Sequence, residues 1–162
     1  CRARVEQLAD RRPLEDLGDH EAGSLALVTI ENFTSTCETD GRLLIVDLAD
    51  SREGQAWSST PEDPYRLPVV SEWSPFGKPG SLPNAGCSAH YFQLRDGVLA
   101  QSYYGQGTHF IDVSDPENPE QVGYFRADGG STWAPYWNGD VMYIADGRRG
   151  VDIVRPIIPA KG

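Results

Sequence analysis

No stretch of the sequence reaches the roughly 18 consecutive apolar residues that a membrane-spanning helix needs. The longest apolar runs, such as Leu43 to Val46, are four to six residues. Basic residues are scarce as well: 14 Lys and Arg stand against 24 Asp and Glu, a net charge of −10. That field repels a phosphate backbone and an anionic membrane surface, which argues against both as partners. The chain holds three histidines and three cysteines. No HxH, HExxH or CxxC spacing occurs among them, so no strong metal motif is present. No Ser sits in a GxSxG elbow, so hydrolase chemistry of that kind has no support. There is no signal-peptide pattern and no initiator Met. The start at Cys1 reads as a processed chain, with a lipid-modified Cys as one origin and a fragment boundary as the other.

What is present points to short strands and many turns. Hydrophobic residues make up 39% and charged residues 23%, enough for a core, and 162 residues usually means one domain. The 17 Gly and 12 Pro follow no strict period. Residues 1–23 are charged and read as a leader, a linker or the remnant of an upstream unit, with a short helix expected around Val5 to Leu17. Strand signals begin at Ser24, in SLALVTIENF (24–33) and GRLLIVDLAD (41–50). The segment 51–86 carries many prolines and reads as surface loop, with YRLPVVSEW (65–73) its one strand.

From Cys87 onward the pattern becomes regular. HYFQL, VLAQSYY, THFIDV and EQVGYF read as four strands, joined by turns at Arg95-Asp96-Gly97, Gly105-Gln106-Gly107 and DPENP. STWAPYW, VMYIAD and VDIVRP begin the pattern again. VLAQSYYGQGTHFIDV (98–113) aligns with VMYIADGRRGVDIVRP (141–156) without a gap at an offset of 43 residues, and LALVTI with RLLIVD forms an earlier copy. A period in the low forties with four strands per unit is the mark of β-propeller blades. The expected fold is all-β: about three four-stranded antiparallel sheets, with blades at about 24–86, 87–128 and 129–157, forming a partial ring. A β-sandwich is the competing architecture.

LLIVD (43–47), HFIDV (109–113) and VDIVR (151–155), together with CSAHYF (87–92) and WAPYW (133–137), resemble the bacterial LVIVD-repeat β-propeller proteins, and in particular the C-terminal blades of secreted members. The likeness spans about residues 24–156 and implies fold rather than activity. Complete propellers have about four to eight blades. About three are present here, and the last stops after VDIVRP, one strand short. The expectation is therefore either the C-terminal part of a longer propeller, which is the preferred reading, or copies that combine to close a ring.

Among candidate site residues, His90 stands first. It falls in the strand that lines a propeller's channel, as the best single candidate for a channel ligand, although a hydrogen bond within the blade is the favoured reading. His109 is expected to pack or face outward. Tyr103, Tyr104 and Tyr136, with Arg148 and Arg149, sit near strand ends where blade loops gather, and aromatics with polar tips suit a binding face. Trp133 and Trp137 fit core packing between blades. Asp112, Asp115 and Asn118 cluster at a turn where calcium would find oxygen ligands, though such side chains usually cap their own turn. Glu31, Glu38 and Asp40 are a remote carboxylate set for glycoside cleavage. Asn32-Phe33-Thr34 is a glycosylation sequon. Cys37 and Cys87 either form a disulfide, which would point to an oxidising compartment, or remain two buried thiols.

The function expected from these residues is a non-catalytic binding or interaction scaffold, secreted or surface-attached, with the periplasm included. The alternative is an enzyme with a metal-assisted channel site at His90. No cofactor is required by any motif, although calcium or a transition metal has places to bind. The expected partners are a protein or small molecule, and further blades or a second copy.

Overall fold

The computed structural model describes residues 2–7, 25–32, 36–48, 60, 62, 66–83 and 86–158. The expected helix beyond Gln7, His20, most of the proline segment 49–65, and Phe33 and Thr34 of the sequon lie outside the described residues. Among those described there is no helix, and none therefore long and apolar enough to cross a membrane. The described residues are all-β, with eleven strands in three antiparallel sheets.

The first sheet has the order β1 (Arg2–Gln7), β2 (Leu25–Glu31), β3 (Leu43–Asp47) and β4 (Val69–Trp73). The second runs β5 (Phe92–Arg95), β6 (Val98–Ser102), β7 (Thr108–Asp112) and β8 (Glu120–Phe125). The third has three strands, β9 (Thr132–Asn138), β10 (Val141–Asp146) and β11 (Gly150–Val154), with β10 in the middle.

β1 corrects the reading of the N-terminal segment. Residues 2–7 pair along their whole length with β2, from Arg2 opposite Glu31 to Gln7 opposite Ala26. Ala3 and Val5 alternate with Arg2, Arg4 and Glu6, which is a period-2 pattern that the density of charge conceals. Other limits follow local chemistry. β4 starts only after Pro68, which has no N–H to give a ladder. Pro135 is accommodated in β9 because that strand is an edge of its sheet. The hairpin between β5 and β6 turns on Asp96 and Gly97, both with positive φ (50° and 73°), as a tight two-residue turn requires.

The sheets repeat in register as well as in sequence. Leu25 lies opposite Asp47 in the first sheet, and Val98 lies opposite Asp112 in the second. Both sheets slip register at the same place in the third strand, between Ile45 and Val46 and between Phe110 and Ile111.

Two cores join the sheets. Leu25, Leu27, Leu43, Ile45 and Trp73 of the first sheet pack with Leu99, Tyr103 and Ile111 of the second. Val98, Ala100 and Phe110, on the opposite face of the second sheet, pack with Met142 and Ile144 of the third. A sheet of four strands hides its apolar faces only by stacking, so the two seams hold the molecule together.

Cys37 and Cys87 are bonded, with Cα atoms 4.7 Å apart and a sequence separation of 50. The disulfide ties the β2–β3 loop to the segment that leads into β5. Gly41 makes room for it: its φ is +69°, and a Cβ there would meet Cys87 Sγ at 2.5 Å.

Two outcomes follow. Leu99 is fully buried in the first seam, so Leu99→Ala should destabilise the fold by about 2–5 kcal/mol in urea unfolding at unchanged pH. Reducing the disulfide should remove roughly 4 kcal/mol by freeing a loop of 50 residues in the unfolded chain, read as a lower urea midpoint with reductant than without.

Candidate functional site

The three sheets meet at one short segment, residues 89–91, and their backbones make the junction. Ala89 N–H donates to Ile30 O of the first sheet at 3.2 Å. His90 N–H donates to Ser102 O within the second sheet at 2.9 Å, and Tyr91 N–H donates to Trp133 O of the third at 3.1 Å. His90 thus lies in the extended segment just ahead of β5 rather than inside the strand.

The His90 side chain is fixed from the same three directions. Nδ1 lies 2.9 Å from Trp133 O, and a carbonyl can only accept, so Nδ1 carries a proton. Nε2 lies 3.6 Å from Glu31 Oε1 at the end of β2. Three aromatic rings surround the imidazole, with centroids at 4.6 Å for Tyr91, 5.2 Å for Tyr104 and 5.3 Å for Trp133. Tyr104 Oη donates to Glu31 Oε1 at 2.6 Å. Desolvation, followed by the bond to Glu31 and its charge, pushes the Tyr104 phenol well above its ordinary range, so it remains a donor. His90, Glu31 and Tyr104 are half-buried, while the Trp133 ring stands exposed beside them.

Tyr104 occupies an unusual backbone state, φ +49° in a non-glycine residue. Strain of this kind costs on the order of 1–3 kcal/mol and gathers at functional sites. Here a reciprocal pair of backbone bonds holds it: Tyr104 N to Thr132 O and Thr132 N to Tyr104 O, both 2.9 Å. The turn of sign at Tyr104 also separates it from its neighbour. Tyr103 is fully buried in the first seam, 6.0 Å from Trp73, and is unavailable to a surface ligand.

The remaining candidates are dispersed. Tyr136 is exposed on the outer side of the third sheet. Arg148 and Arg149 lie in the β10–β11 turn, whose backbone N–H groups donate to Asp146 Oδ1, and Arg149 pairs with Asp152 at 3.1 Å. That turn approaches the site through Gly147, where a Cβ would meet Trp133 Nε1 at 3.2 Å. Asp112 and Asp115 cap their own turn. Asp112 accepts from Ser114 N at 3.0 Å, while Asp115 accepts from Asn118 Nδ2 at 2.9 Å and Glu117 N at 3.0 Å. Those hydrogen bonds, Asn118 first, hold the Asp115 carboxyl below its ordinary range. Glu31 and Asp40 serve different partners, since Asp40 accepts from Asn32 Nδ2 at 3.1 Å. Gln106, between the two glycines, is buried and bonds Leu82 through both ends of its amide, so that loop is a structural clasp.

Sequence reasoning missed the partnership of Glu31, Tyr91 and Trp133 with His90. Only the aromatic density around 87–104 and 132–137 hinted at it. Among the described residues no group of three His, Cys, Asp or Glu side chains is placed to hold a metal ion. The arrangement offers instead an imidazole edge facing a carboxylate that already receives a phenol, and an exposed indole ring. Such a set can stack an aromatic or cationic group and hydrogen-bond a donor. Comparison of the chain with protein families, with curated proteins and with solved structures returns no match.

His109 packs inside, as one of the two expected outcomes. It is fully buried, with Nδ1 donating to Gln121 Oε1 at 2.9 Å and its ring 5.6 Å from Trp73. Burial is the largest influence and pushes its pKa below the ordinary 6.5. The unfolded chain therefore takes up the proton first as pH falls, so the stability it contributes is full above about 6.5 and declines below it. Urea midpoints should drop as the pH is lowered through that window, and His109→Gln should flatten the slope.

Proposed function

We propose that this chain is a run of consecutive blades of an LVIVD-type β-propeller, secreted or held at the cell surface, that serves as a binding scaffold with its ligand seated at His90. The repeat of register and bulge from sheet to sheet supports the blade reading. The disulfide favours an oxidising compartment. The charge of −10 favours a partner that is neutral or cationic.

The observation that carries the site is the convergence of three sheets on one imidazole, with Glu31 Oε1 3.6 Å from its Nε2 and the exposed Trp133 ring beside it. Tyr91, Tyr104 and the Thr132-Trp133 segment are held there by backbone bonds that cross between the second and third sheets. The ligand is a protein side chain or small molecule that lies on Trp133 and meets His90 and Glu31 with polar groups. A thermal-shift screen of small cationic and aromatic compounds should yield stabilising ligands whose effect disappears in both His90→Ala and Trp133→Ala. Ligands that stabilise both variants as well as the native chain would refute this site.

The second reading, a metal-assisted enzyme, is favoured by a single feature: His90 Nε2 and the Glu31 carboxylate face each other as two ligands would. Catalytic zinc ordinarily takes three protein ligands. Elemental analysis separates the readings, since stoichiometric metal lost in His90→Ala and Glu31→Gln would favour the enzyme.

A further inference from the structure

Buried polar atoms in a folded chain nearly always have a hydrogen-bond partner, because one without any costs stability. Among the described residues, four buried atoms with no partner in the protein collect in the first seam. They are Trp73 Nε1, Gln101 Oε1, Tyr103 Oη and His109 Nε2. Gln101, Tyr103 and His109 are fully buried, and Trp73 is 4% exposed.

Register and ring packing bring the four together. Gln101 of β6 lies directly opposite His109 of β7, so the two share one face of the second sheet. Leu99 and Ile111, opposite each other two residues along the same strands, pack against the first sheet. The shared face is therefore the one turned toward that sheet. Trp73 meets it from the end of β4. The Trp73 centroid lies 6.0 Å from that of Tyr103 and 5.6 Å from that of His109, and the latter two are 5.7 Å apart. None of the three pairs is stacked face to face, since their planes meet at 50°, 57° and 85°.

Other contacts fix the role of each atom. Gln101 Nε2 donates to the carbonyl oxygens of His90, Tyr91 and Ser102, which leaves Oε1 as an acceptor. Gln121 gives its Nε2 to Pro79 O, so its Oε1 faces His109 Nδ1 and that nitrogen carries the proton. Burial outweighs the bonds to Gln121 and to the Gln106 backbone and lowers the His109 pKa. The ring is thus neutral near neutral pH, and Nε2 accepts. The Trp73 indole N–H can only donate. Burial pushes the Tyr103 phenol far above its ordinary range, so the hydroxyl keeps its proton to give. The set holds two donors, Trp73 and Tyr103, and two acceptors, Gln101 and His109.

An anion would leave the two acceptors unpaired, and a cation the two donors. A water molecule has two lone pairs and two O–H groups, and buried waters make about two to four hydrogen bonds. We propose that one water molecule is held in the first seam, accepting from Trp73 Nε1 and Tyr103 Oη and donating to Gln101 Oε1 and His109 Nε2. It would join the first sheet to the second through hydrogen bonds where the surrounding contacts are apolar. The inference does not depend on a ligand at His90.

Tyr103→Phe tests it by the sign of its effect on the urea midpoint of the oxidised chain. With the water in place, the variant leaves that water one bond short, and the midpoint should fall. In a dry seam the same change deletes an unpaired buried hydroxyl, so a midpoint that rises or stays level would overturn the proposal. A crystal structure of the native chain serves if Tyr103→Phe does not fold. One density peak should lie within about 2.7–3.2 Å of all four atoms. Direct hydrogen bonds among the four side chains, or no density between them, would overturn it.

Discussion

Burial of Leu99 and Ile111 against the first sheet, and of Ala100 and Phe110 against the third, makes the second sheet the piece on which the rest is hung. Each fully buried Leu, Ile or Phe among these contributes about 1.5–3 kcal/mol by leaving water. The connections around the seams then act as clasps. The disulfide fastens the first sheet to the second at one place. Gln106 holds Leu82 at another. Gln121, whose Oε1 accepts from His109 Nδ1, also donates through Nε2 to Pro79 O at 3.0 Å and so draws the long loop onto the same edge.

The His90 site is a product of that stacking rather than of any one sheet. Glu31 comes from the first sheet, Tyr104 from the loop after β6, and Trp133 from the third sheet, so the site exists only when both seams are closed. Its polar groups are also partly committed to one another: Glu31 already accepts from Tyr104, and His90 Nδ1 already donates to Trp133 O. What remains for a partner is the imidazole nitrogen, the rest of the carboxylate and an indole face. That inventory suits recognition better than bond making.

Strand positions, the hairpin at Asp96-Gly97 and the copying of one sheet by the next could be read from the chain, because period-2 alternation and glycine chemistry are local signals. β1 escaped notice since Arg2, Arg4 and Glu6 swamp the small apolar signal of Ala3 and Val5. The pairing of Glu31 with His90 joins positions far apart in the chain, and nothing local announces it. Tyr103 and Tyr104 are adjacent aromatics that looked alike as ligands. A single left-handed residue sends one into the core and leaves the other at the site, and that depends on a tertiary bridge to Thr132.

The unvarying polarity of the seams gives the molecule the thermodynamics of a one-dimensional array, in which each unit interacts only with its neighbours. Among the described residues the middle sheet packs against two others and the outer two sheets each against one. Opening should therefore proceed inward from the ends, with amide protons of β6 and β7 the last to exchange and those of β11 among the first. In such an array the length of the row sets cooperativity, and the rigidity felt at His90 is a property borrowed from how many sheets stand on either side of it.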